Sequence, residues 1–214
     1  MIDPLVGVRA IHIAATAMVA GTIFFQVFIS RPAERAAGTS TRGFEGFDRR
    51  LASLVTWALA ISVLSNLAWL ALLAADLDEQ TISAAIGDGT VLTVLTDTRF
   101  GNVLIFRLAL AALLAANLGS TDRIRELLSV IAAALFIAAM ALPGHSGATP
   151  GLMGQFYLLN DGLHLIAAGA WIGGLLPSVL LLALSNGRWR KISTDAVHRF
   201  SVLGIVSEIG RAHV

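Results

Sequence analysis

Residues 158–184 read LLNDGLHLIAAGAWIGGLLPSVLLLAL, a run of 27 positions with one charged residue, Asp161. About 20 mostly apolar residues suffice to carry a helix across the hydrocarbon core of a bilayer. This run is longer, and its charge stands near the start. A helix on the surface of a soluble domain keeps a polar face; here the apolar residues go all the way round. Leu158–Leu184 is therefore read as a membrane span.

Four further runs match it: Leu5–Ile29, Leu51–Ala75, Gly101–Leu118 and Ile124–Leu142. A sixth begins near Phe200 and loses its apolar pattern at Glu208. The whole chain is 56% hydrophobic and 14% charged, with a mean hydropathy of +0.78. Soluble domains carry about 25% charge, so the shortage of charge agrees with the runs. The expected fold is all-α: a polytopic transmembrane helix bundle with five complete spans and a truncated sixth. Residues 1–206 are expected to form one transmembrane domain, and 207–214 an aberrant or truncated tail. The start is not expected to be a cleavable signal, because Asp3 stands where a basic cluster belongs and Leu5–Ile29 exceeds an h-region of about 7–15 residues. Segment 80–95 is moderately apolar but interrupted by Gly87-Asp88-Gly89. It reads as an outer interfacial helix or re-entrant piece, with an ordered loop as the alternative.

Arginine sets the orientation. Loop 31–50 holds Arg31, Arg35, Arg42, Arg49 and Arg50; loop 119–126 holds Arg123 and Arg125; loop 185–199 holds Arg188, Arg190, Lys191 and Arg199. The alternate connections differ. Segment 76–100 has Arg99 against Asp76, Asp78, Glu79, Asp88 and Asp97, and 143–157 has no basic residue. Basic residues concentrate on the cytoplasmic side of short loops. The N-terminus is thus expected outside, with a plasma-membrane location.

Several functions are disfavoured at once. A net charge of +1 gives no case for nucleic acid, and the absence of cysteine removes disulfides, thiolate ligands and a cysteine nucleophile. Gly144-His-Ser-Gly-Ala148 has Ala where a serine-hydrolase elbow needs Gly. No enzymatic activity is expected.

The candidate chemistry lies in polar residues inside the runs. His12 is about seven residues into the first span and His164 about six into the fifth, so both lie roughly 10 Å below the outer end. His145 follows Pro143-Gly144 at the outer end of the fourth. An ionisable group costs about 2.5 kcal/mol or more at the bilayer centre, and neutral imidazole is the commonest protein metal ligand. The three histidines are candidate ligands for a metal near the outer face, with interhelical hydrogen bonding as the competing role. Met153, in the polar outer loop, is an auxiliary candidate because thioether binds soft Cu(I). Asp161, three residues before His164, shares its helix face and would orient it; the alternative is a helix cap. Arg107, inside Val103-Leu-Ile-Phe-Arg-Leu, lies at similar depth and is expected to pair with Asp161 or to snorkel outward. Gly169 and Gly173 form a small-residue ridge for close helix contact. A different use of His12 and His164 is axial ligation of a b-type haem in an electron carrier. A third reading is a non-transporting assembly or sensing subunit.

The run Asp161-Gly-Leu-His164-Leu-Ile-Ala-Ala-Gly-Ala-Trp171-Ile-Gly173-Gly174 resembles the signature helix of the CopD family of copper resistance membrane proteins. Gly144-His145, Arg9-Ala-Ile-His12, Gly101-Asn-Val-Leu-Ile-Phe-Arg107 and His198-Arg-Phe200-Ser are similar to it as well, so the likeness covers residues 5–206. The resemblance implies an inner-membrane protein of about eight spans that handles copper between periplasm and cytoplasm. It also implies a periplasmic CopC-like copper-binding protein as partner and copper as the ion; the expected ligands for it, as Cu(I), are His12, His145 and His164, with Met153 as an auxiliary. Against that pattern the chain is expected to be truncated before the final spans and without the periplasmic domain.

Overall fold

The computed structural model describes residues 3–38, 45–120, 122–144, 151–185, 187 and 189–209, and of residues 206–209 the backbone alone. Every regular element among them is helical. The five long helices are α1 (Pro4–Ala37), α2 (Glu45–Leu77), α5 (Arg99–Ala116), α6 (Arg123–Ala141) and α7 (Gly151–Ala183), each long and apolar enough to cross a membrane. Two short helices, α3 (Ile82–Gly87) and α4 (Thr90–Asp97), join α2 to α5, and α8 (Trp189–Ile209) follows α7. The five expected spans are thus present, each within a few residues of its hydropathy run at most positions; α7 begins earlier, at Gly151.

The starts follow from local chemistry. Asp3 accepts the Leu5 N–H at 2.9 Å with Pro4 in the first turn of α1. Thr98 Oγ1 accepts the Gly101 N–H of α5, and Asp122 accepts those of Ile124 and Arg125 in α6. Each cap satisfies amide groups that the helix cannot. Between α3 and α4 the chain turns at Gly89, φ 87°, a conformation open to glycine.

Helix α1 is the most buried of the five and packs against α2, α6 and α7. Its contact with α7 is backbone to backbone. A Cβ on Gly21 would overlap the Gly173 backbone, and one on Gly173 would overlap the Ala17 carbonyl. Only residues without bulk allow this approach. Further along, Ile29 of α1 and Leu181 of α7 meet in one apolar cluster, so the two helices run in the same direction. Outward-facing residues such as Trp57, Leu64 and Ile124 are 66–69% exposed, as lipid-facing positions would be.

Two loop assignments need correction. Residues 185–199 are helical from Trp189 onward. Ile192 and Ala196, four apart, are buried against Phe25, Ile29 and Ala33 of α1. That spacing makes an apolar helical stripe, which the surrounding basic residues conceal. Arg31 is not in a loop either. It lies in α1, which continues through a π-helical turn at Gln26–Ser30 to Ala37, and it ion-pairs with Glu126 of α6. Segment 80–95 forms the two short helices α3 and α4 around the turn at Gly89, with Ala85 and Val94 buried against the ends of α2 and α5.

Candidate functional site

On the side of the bundle that bears the N-terminus, four helices bring polar groups together inside the apolar interior. His12 of α1 is 1% exposed and Arg107 of α5 is 3% exposed. The Arg107 guanidinium donates from Nη2 to His12 Nε2 at 2.9 Å and to Thr16 Oγ1 at 3.0 Å, and from Nη1 to the Phe136 carbonyl at 2.8 Å. Its Cζ also lies 4.5 Å from the centroid of the Phe136 ring. Thr16 is one turn beyond His12, so the two share a face of α1.

Helix α2 closes the other side. His12 Nδ1 is 3.0 Å from the Ser62 carbonyl and 3.2 Å from Ser65 Oγ, and Thr16 Oγ1 lies 2.9 Å from Ser62 Oγ. These contacts fix the imidazole's tautomer by elimination. A guanidinium only donates, so Nε2 must accept; a carbonyl only accepts, so Nδ1 must carry hydrogen. His12 is the neutral Nδ1–H form, with its lone pair turned to Arg107.

Above this network lies a cavity of about 150 Å³, lined by Arg9, His12, Asn66, Trp69 and Arg107 with apolar groups from α5 and α6. Arg9 sits 4.8 Å over the Trp69 ring, and Trp69 meets His12 edge to face at 5.9 Å. Two buried donors here have no protein acceptor: Arg107 Nε and Trp69 Nε1.

The other candidates fall elsewhere. His164 and Met153 are exposed on α7, Met153 at 59%. Asp161 is half-buried, and His145 lies outside the described residues. His12 and His164 each precede the Gly21–Gly173 crossing by nine residues, so they lie at a similar level of their helices. Their faces differ: His12 turns to α2 and α5, and His164 turns outward. A single haem between them does not fit this arrangement. Arg107, expected on Asp161, instead spends its three hydrogen bonds on His12, Thr16 and Phe136. Equal depth left the azimuth undetermined, and α5 faces α1 and α2 here. No group of three or more His, Cys, Asp or Glu side chains suited to a metal occurs among the described residues.

Thr16, Ser62, Ser65, Asn66 and Trp69 were not among the sequence candidates. Ser62, Ser65, Asn66 and Trp69 repeat at three- and four-residue intervals within an apolar helix. That is a one-sided polar stripe, the pattern that would have identified α2 as a wall of the site.

A family described as copper resistance protein D-like, N-terminal domain, matches residues 1–155, which hold the whole of this network. The chain is 35% identical over 114 residues to the inner membrane protein YebZ of Escherichia coli (strain K12). That match covers 53% of this chain and 39% of the relative, so the chain spans about two fifths of that protein's length. No solved structure matches.

Proposed function

This chain belongs to the copper resistance protein D-like family, and from that premise we propose that it handles copper ions in a bacterial inner membrane, taking them up at the face that bears its N-terminus. That face is read as periplasmic, because the arginine-rich connections lie at the other end. A periplasmic CopC-like protein would deliver the ion there.

One observation carries the reading beyond the family. The Ser62 carbonyl holds the His12 N–H, which fixes the ring and leaves Nε2 as the coordinating atom. Metal-ligating histidines are oriented in this way by a carbonyl or carboxylate on the other nitrogen. Arg107 occupies that lone pair in the resting arrangement. Copper therefore reaches His12 only when the guanidinium withdraws. Met153 would meet the ion first, and His164, about 16 Å further along the same helix α7, would hold it next with His145, Asp161 orienting His164.

Titration of the purified protein against a competing Cu(I) chelator tests this. His164→Ala and His12→Ala should each weaken binding, and His198→Ala, on α8, should not. Arg107→Met should strengthen the His12 contribution by freeing Nε2. Equal affinity in wild type and all the histidine variants would make these residues structural and overturn the proposed ligand set.

A further inference from the structure

We infer that the cavity between Trp69 and Arg107 is a binding site for a small monovalent anion, a halide or a short carboxylate such as formate. The first reason is charge. Arg107 is 3% exposed, and the three groups it hydrogen-bonds, an imidazole, a hydroxyl and a carbonyl, are all neutral. A buried charge is costly unless it is compensated. Among the described residues lining the cavity there are two arginines, Arg9 and Arg107, and no carboxylate.

The second reason is the unused donors. Arg107 Nε and Trp69 Nε1 each carry a hydrogen, both are buried, and neither meets a protein acceptor. Buried donors are paired in the great majority of cases. Both belong to residues that line this one cavity. His12 cannot serve them, because its single lone pair already accepts from Arg107 Nη2 and its Nδ1–H is directed to Ser62.

The third reason is room. The cavity measures about 150 Å³, and one water occupies about 30 Å³ in the liquid. A halide or formate fits with a few waters. Apart from Asn66, the remaining walls, including Phe100, Leu104 and Met140, are apolar. The site is independent of the copper reading. It concerns the same guanidinium, however, and an anion held there would offset the positive charge that a metal ion at His12 must approach.

The test uses the full chain in nanodiscs with a copper chelator present. Sodium gluconate is replaced stepwise by sodium chloride, or by sodium formate, at constant ionic strength, and thermal unfolding is followed by circular dichroism. Wild type should show a saturable rise in Tm with at least one of the two salts; which one identifies a halide or a carboxylate. Trp69→Phe removes one donor with little change of shape and should raise the half-saturating concentration about five-fold. Arg107→Gln should abolish the response, and Arg199→Gln, in a half-exposed pair with Asp195 on α8, should keep it. If Arg107→Gln does not fold, Trp69→Phe decides. No saturable response to either salt in wild type, or an unchanged half-point in Trp69→Phe, overturns the inference. Copper is absent throughout, so that failure would leave the copper reading untouched.

Discussion

Replacing His12 by Leu removes the acceptor that stands 2.9 Å from Arg107 Nη2 while keeping an apolar side chain in the space. The cost should depend on whether Arg107 is present. Interhelical hydrogen bonds in membrane proteins couple by about 0.6 kcal/mol on average and reach about 1.7 kcal/mol, because the unfolded helices also find partners. A charge-assisted bond is roughly twice as strong as a neutral one. Both residues here are almost wholly enclosed. The expected coupling between His12→Leu and Arg107→Leu is therefore about 1–2 kcal/mol. It is read from a double-mutant cycle, with unfolding of the purified protein in mixed micelles on addition of SDS. The same cycle run with Arg107→Leu and Asp161→Ala should be additive within about 0.5 kcal/mol, the ordinary scatter for uncoupled sites. A His12–Arg107 coupling below that scatter would refute the network as a source of stability. Strong coupling to Asp161 would restore the pairing expected from sequence.

Other consequences follow from the packing and the caps. Gly173→Ala should destabilise the bundle by about 1–3 kcal/mol in the same assay, as overpacking does, because the new Cβ meets the Ala17 backbone; Gly7→Ala, with nothing within 4 Å, should be close to neutral. A cysteine at exposed Ser83 should react with an impermeant maleimide from the periplasmic side, and one at exposed Ala36 should not; the reverse pattern would invert the topology. Asp88 accepts the Thr90 N–H at 2.9 Å at the turn before α4, and that bond holds its carboxyl below the usual value. A depressed folded pKa means that its contribution is present above the unfolded pKa, near 3.9, and is lost as pH falls through the folded value. Amide exchange at the start of α4 should accelerate over that acidic window and become independent of pH in Asp88→Asn, once the intrinsic exchange rate is divided out.

Much of the architecture was legible because hydropathy measures what a bilayer selects. Leu51–Ala75 and Ile124–Leu142 needed no neighbour to be recognised as spans. The charged connections were harder. In 185–199 the basic residues dominate any average, and the Ile192–Ala196 pair that seats α8 on α1 is visible only at helical spacing. The site was half legible. Depth along a helix can be counted from sequence, which is why His12, Arg107 and His164 were placed at one level. The direction a side chain faces is set by which helices pack together. His12 and Arg107 are 95 positions apart in the chain, and nothing local in either helix names the other as partner.

The Gly21–Gly173 crossing has a mechanical consequence. Where side chains intermesh, one helix can slip past its neighbour by a turn and settle into the next set of grooves. Where two backbones touch, there is no groove to slip into, and a shift of one turn would drive Phe25 or Ala17 with its neighbours into the opposing chain. Helices α1 and α7 should therefore move as one stiff unit in any working cycle. On the proposed copper reading, the freedom to open a path past Arg107 would then belong to α5, which holds the guanidinium and meets α1 through side chains.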